Sequence, residues 1–124
     1  MKELQRVITF YQNSSIVPFG YTTENNGVIG IDEDKAMLVR EIYRLYLLHR
    51  SYYKVSYAIN NSNNFPCHPF QFTLSHIQSI LHNYFYTGNL LMEATDDEMV
   101  ILPFHHQSIV PSDIWDKVQS LPKK

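Results

Sequence analysis

Apolar residues recur at helical spacing through Ala36, Val39, Ile42, Tyr43, Tyr46 and Leu47. This predicts an amphipathic helix from Glu33 to His49. Asp32 stands where an N-cap belongs, and Glu33 and Asp34 complement the positive end of the helix. Met37, Leu38, Leu45 and Leu48 widen the apolar surface almost all the way round. Such a helix is central in a core or also touches another domain. Ser51 opens a second helix to about Asn60, with Val55, Ala58 and Ile59 inward. The polar run Asn60 to Asn64, followed by Pro66 and Pro69, predicts a loop as far as Phe72. Thr73 caps a third helix, Leu74 to His82, with Leu74, Ile77 and Leu81 on its inner face. Pro111 and Ser112 start a last helix to Leu121 that packs Ile114, Trp115 and Val118.

Between these helices the pattern shortens. Phe19 to Ile31 reads as a hairpin with Tyr21, Val28 and Ile29 in strands and Glu24-Asn25-Asn26-Gly27 as the turn. Gly88 to Glu93 and Met99 to Leu102 read as a second pair around the acidic segment Ala94 to Glu98. Leu4, Val7, Ile8 and Tyr11 give Glu3 to Tyr11 one apolar side, and Asn13-Ser14-Ser15 ends it. The expected architecture is α+β: a helical core with a helix-turn-helix-like pair, small β-hairpins and a C-terminal helix. Its core should run through Val39, Ile42, Tyr46, Val55, Ile59, Ile77 and Leu81. Residues 17–124 are expected to form the domain, and residues 1–16 an N-terminal arm or linker helix.

Composition narrows the setting. A chain of 124 residues can bury enough surface for a core without metal or disulfide. Cys67 is the only cysteine, so no internal bridge forms, which fits a reducing compartment. No segment approaches the ~20 apolar residues of a membrane span. Met1 to Ser15 lacks the continuous apolar run of a secretory leader. The expected location is the cytoplasm, with no membrane partner and no small-molecule substrate.

The net charge of −2 argues against a nucleic-acid partner, but its distribution argues the other way. No Asp or Glu occurs from Ile42 to Met92, a stretch that carries Arg44, Arg50 and Lys54 with His49, His68, His76 and His82. Such a stretch can approach phosphates without like-charge repulsion. It can also be a Tyr- and Asn-rich region that merely lacks acids. If the former, it should map to one neutral-to-positive surface, with Arg50 and Lys54 free of carboxylates.

The second and third helices are the candidate reader. Ser75, Gln78, Ser79 and His82, with His76 alongside, are expected on the outer face of the third helix, where each can bond a base edge. Arg50 and Lys54 are expected to hold the DNA backbone, with Arg44 or Tyr52 and Tyr53 in support. The same face can be read as a polar, solvated one. The connector is longer than in a plain helix-turn-helix, and no Arg or Lys lies on the third helix. Metal binding is not expected. His76 and His82 are not at the i, i+4 spacing of a helical zinc site, and His105-His106 reads as an ordinary dipeptide. No Gly-rich phosphate loop is present, Ser14 and Ser15 read as loop residues, and no cofactor is expected.

Several short motifs fall in a defined order. They are Pro18-Phe19-Gly20-Tyr21, Asp32-Glu33-Asp34, Val39 to Tyr46, Lys54 to Asn60, Asn83-Tyr84-Phe85-Tyr86-Thr87-Gly88, Ile109-Val110 and Trp115 to Gln119. This ordered set resembles the recombinase domain of the large serine recombinases, the enzymes that integrate and excise mobile DNA elements. The likeness covers roughly residues 17 to 120. Tyr84 stands where that family usually has Pro, Phe72 where it has Trp, and Pro111 near a usual Ser cap. The resemblance implies a domain that grips double-stranded DNA at an attachment or resolution site. A separate N-terminal domain would supply a Tyr-x-Arg-x-Ser nucleophile motif, and a following zinc ribbon would supply paired cysteines. Neither motif occurs in this chain. It is therefore expected to be no enzyme by itself, with the parent's catalytic and zinc-ribbon domains as partners. The alternative is a degenerate recombinase remnant that serves as a protein-interaction module.

Overall fold

The computed structural model describes residues 17–24, 27–61, 68–93, 98–103 and 105–122. The expected helix at Glu3 to Tyr11, the arm 1–16, Cys67 and parts of both expected turns lie outside them. The element order is β1 (Tyr21–Thr23), β2 (Ile29–Ile31), α1 (Glu33–His49), α2 (Tyr52–Asn60), α3 (Leu74–His82), a 3₁₀ turn (Tyr84–Thr87), β3 (Leu90–Glu93), β4 (Met99–Leu102) and α4 (Ser112–Gln119). Both sheets are two-stranded and antiparallel, β1 with β2 and β3 with β4. No described helix is long and apolar enough to cross a membrane.

Every helix start in the first three-quarters of the chain carries its cap. The side chains of Asp32, Ser51 and Thr73 accept bonds from the N–H groups of Lys35, Lys54 and His76. At α3 the cap is reciprocal, because the His76 side chain in turn accepts from the Thr73 N–H. These bonds serve N–H groups that have no partner inside the helix.

The helix α1 lies centrally, against α2, α3 and α4. Val39, Ile42, Tyr46, Val55, Ile59, Ile77 and Leu81, the expected core, are all fully buried. Two expectations are corrected. Leu74, the first residue of α3, is 46% exposed, and Ile80 is buried in its stead. Tyr52 is buried and stacks on Tyr46 at 5.2 Å, so it belongs to the core and not to a DNA-holding surface.

Tyrosines do an unusual share of the internal bonding. The Tyr21 hydroxyl donates to the Gln107 carbonyl at 2.7 Å, and that of Tyr86 to the Phe19 carbonyl at 2.6 Å. Burial pushes the Tyr21, Tyr43 and Tyr86 hydroxyls well above the usual phenol range, so they remain donors. Gly20 has a φ of +104°, and a Cβ there would lie 2.9 Å from the Ile109 side chain and 3.2 Å from that of Val39. The turn Pro18-Phe19-Gly20-Tyr21 thus needs its glycine both for conformation and for close approach to α1.

The segment Asn83 to Gly88 ends α3 and turns the chain. The Asn83 side chain accepts from the Phe85 N–H at 3.0 Å, and Gly88 adopts a left-handed φ of +88°. Tyr84 packs its ring on Trp115 at 4.9 Å. The ring of Tyr84 thus joins the 3₁₀ turn to α4.

Candidate nucleic-acid interface

Helix α3 is only nine residues long, too short to be stable alone. Neighbouring side chains hold it at both ends. At its start, the connector from α2 is clasped at Phe72. The Asn60 side chain accepts from the Phe72 N–H at 2.9 Å and donates to its carbonyl at 3.0 Å, and the Ser56 hydroxyl donates to the same carbonyl at 2.7 Å. His68 adds a second fastening, with Nε2 bonded to the Ile59 carbonyl at 3.0 Å and Nδ1 accepting from the Phe70 N–H at 3.2 Å. These bonds position α3 on α2 across a long connector, where a plain helix-turn-helix relies on a tight turn.

At the other end, three other helical side chains reach carbonyls at the C-terminus of α3. The Tyr43 hydroxyl donates to the Ile80 carbonyl at 2.7 Å and lies 3.1 Å from that of Leu81. The Gln119 amide donates to the Leu81 carbonyl at 2.8 Å, and the Trp115 indole N–H to the Asn83 carbonyl at 3.1 Å. With its amide nitrogen so placed, Gln119 turns its oxygen to His82 Nδ1 at 2.6 Å. Nδ1 is then the donor in that bond, and Nε2 is hydrogen-bonded to the Tyr52 hydroxyl at 2.7 Å. A chain Tyr52–His82–Gln119 therefore ties α2, α3 and α4 together at one point.

These contacts sort the expected site residues. Ser75, His76, Gln78 and Ser79 are exposed on α3. His76 uses Nδ1 in the cap, which leaves Nε2–H as its outward donor. His82 does not stand free on that face: it is half-buried and bonded on both ring nitrogens. Arg50 and Lys54 are exposed, and no ion pair involves either of them among the described residues. Arg44 is different, because Glu41 takes it in a two-pronged pair at 2.5 and 2.8 Å. Tyr53 and Tyr57 lie one turn apart on α2, 68% and 63% exposed, on the same side as Lys54.

Arg50 adopts a left-handed conformation, φ 56° and ψ 35°, and is the one non-glycine residue with positive φ among the described residues. It closes α1 by donating its N–H to the Tyr46 carbonyl at 2.7 Å. Glycine would fill this position without strain, whereas a side chain there costs roughly 1–2 kcal/mol. Sequence reasoning identified the outer residues of α3 but missed Tyr43, Asn60, His68 and Gln119. Their side chains act on backbone groups distant in sequence, so no local pattern marks them. No group of three or more His, Cys, Asp or Glu suited to a metal occurs among the described residues.

The sequence model of the Recombinase family matches residues 33–124. No curated protein sequence matches the chain. Among solved structures, one described as the crystal structure of an LSR–DNA complex superposes with a TM-score of 0.71 at 20% identity, covering 96% of this chain and 36% of that one. Another, concerned with the sequence requirements of the Listeria innocua prophage attP site, gives 0.68 at 18% identity and covers 96% of this chain and 50% of that one. The chain thus spans from about a third to half of the length of these structures' chains.

Proposed function

This chain belongs to the Recombinase family, and on that premise we propose that it is the DNA-reading domain of a site-specific serine recombinase. In this reading α3 enters the major groove of an attachment or resolution site. Ser75, His76, Gln78 and Ser79 face the base edges, and His82 locks the helix in place from behind. Arg50 and Lys54 neutralise phosphates, with Tyr53 as a neutral donor beside them. The catalytic serine and the zinc ribbon would belong to other parts of the parent protein, which cuts and rejoins the strands in the cytoplasm.

The observation that carries this reading is the state of the outer surface of α2 and α3. It exposes hydrogen-bonding groups and two cations without a described carboxylate against either. Carboxylates would repel phosphate, and a face meant only for water gains nothing from leaving them out. The structural likeness to a chain described in complex with DNA supports the same reading.

The test is selection from a pool of random 30-base-pair duplexes by the chain at low salt, followed by fluorescence anisotropy on the enriched sequences. Enrichment of a common sequence, with binding that weakens as salt rises, is the expected result. A pool that stays random, with negligible binding, would refute the assignment.

A further inference from the structure

A cleft of about 350 Å³ opens beside α3. Its walls are mainly Phe19, Phe70, Phe72 and Ile80, and His76 and Ser79 of α3 also line it. The three phenylalanines pack on one another, Phe19 edge-on to Phe70 at 5.1 Å and to Phe72 at 5.4 Å. None of the lining residues is a carboxylate. The Lys35 ammonium, 3.9 Å from the Asp32 carboxylate, lies 5.7 Å from the ring centres of both Phe19 and Phe70. The cleft is therefore mainly apolar, reaches the face of α3 through His76 and Ser79, and has no carboxylate among its lining residues.

The reading face is short of one chemistry and rich in another. No Arg or Lys stands on α3 to take the paired acceptors of guanine. Gln78 suits the N6/N7 edge of adenine, and thymine alone among the four bases projects a methyl group into the major groove. We propose that the cleft is a thymine subsite. The 5-methyl group of a thymine, with the base edge that carries it, would lodge against Phe70, Phe72 and Ile80, and Ser79 would face its O4. This rests on the DNA-reading assignment above and deepens it: the half-site should be A·T-rich where α3 lies. A nine-residue helix is about 13 Å long, so the thymine should fall within the roughly four base pairs it can span.

Replacing thymine by deoxyuridine removes the methyl group and keeps every Watson–Crick bond. In the enriched duplex, each thymine is replaced in turn and binding of the full chain is measured by anisotropy at low salt. At one position affinity should drop about fourfold, the effect of one buried methyl group. Phe70→Ala should bind the thymine and uracil duplexes alike, while Phe70→Leu, which keeps an apolar wall, should retain most of the difference. Far-UV circular dichroism and melting confirm that each variant is folded, and the wild-type comparison stands without either. An enriched sequence indifferent to uracil at every position, one with no thymine in that span, or a uracil effect that survives Phe70→Ala would overturn the subsite and leave DNA reading intact. A pool that never enriches would overturn DNA reading and this inference with it.

Discussion

The outer faces of α1 and α3 are both turned away from the core, yet they are built in opposite ways. On α1 the charges neutralise one another: Arg44 with Glu41, Arg40 with Glu33 at 3.7 Å, and Lys35 with the cap Asp32 at 3.9 Å. On α3 the exposed residues carry no carboxylate and no Lys or Arg. Surface ion pairs add little stability, and their use on α1 keeps a long helix solvated. A face of Ser, Gln and His gains no such pairing and is suited to a partner that supplies its own donors and acceptors. The rigid supports follow the same division. Tyr43, Trp115 and Gln119 come from α1 and α4 but act on the end of α3.

The largest effect should come from the core that both faces share. Leu81 is fully buried at the inner side of α3. Leu81→Ala should cost roughly 2–5 kcal/mol in urea unfolding monitored by circular dichroism. A loss below about 1 kcal/mol would mean that α3 is not packed on α1 as described, and the comparison between the two faces would lapse.

Tyr43→Phe tests the support without emptying the core. It leaves the Ile80 carbonyl without its hydroxyl donor and should cost about 1–3 kcal/mol. Hydrogen exchange should speed most at the amides of α3, while those in the middle of α1 change only with global stability. Equal acceleration in both helices would show that the hydroxyl serves the whole core alike and has no special claim on α3.

Binding separates the two kinds of residue on the proposed reading side. Gln78→Ala should relax preference at one base pair by roughly 1–3 kcal/mol if its contact is bidentate. Lys54→Ala should weaken all duplexes alike and lower the slope of log affinity against log salt by about 0.9. Competition anisotropy against scrambled duplex decides both. A general loss from Gln78→Ala, or a sequence-dependent one from Lys54→Ala, would reverse the roles.

Acid should act on stability at His106, whose ring lies 5.2 Å from that of Tyr21. The His106 ring stacks on Phe85 at 3.6 Å, and burial holds its imidazole down to about 4. In the unfolded chain it titrates near 6.5. Between those values the unfolded state takes up a proton that the folded state refuses. The stability from this group is therefore whole above about pH 6.5 and falls as pH drops toward 4. Urea midpoints should fall over that window and fall less in His106→Gln.

Much of this was legible in the chain. Asp32, Ser51 and Thr73 were readable as caps because capping is a local bond between residues three apart. The spacing of Val39, Ile42 and Tyr46 gave the buried side of α1 for the same reason. Leu74 was misjudged because periodicity says which side faces inward but not how far burial extends into the first turn. His82 was placed outward by its helical angle, yet it turns to Tyr52 and Gln119, which come from 30 and 37 residues away. The cleft was equally out of reach, since it needs Phe19 and Phe70 brought together across α1 and α2.

The smallest expected change in stability is also the sharpest test of the contrast. Arg50 holds a backbone conformation that glycine adopts freely, so Arg50→Gly relieves strain while it adds freedom to the unfolded chain. The two effects oppose each other, and the unfolding free energy should stay within about 1 kcal/mol of wild type. If Arg50 were there only to end α1, nothing else would change. As a phosphate contact it should take with it weaker binding to every duplex and about 0.9 of the salt slope. Arg44→Ala is the matched control from the neutralised face, because its guanidinium is committed to Glu41. An equal loss of binding in both variants would show that general positive charge, and not an exposed cation beside α2 with no ion pair among the described residues, accounts for the attraction. Loss in Arg50→Gly alone, at unchanged stability, would identify a residue kept in a strained position for what its side chain reaches.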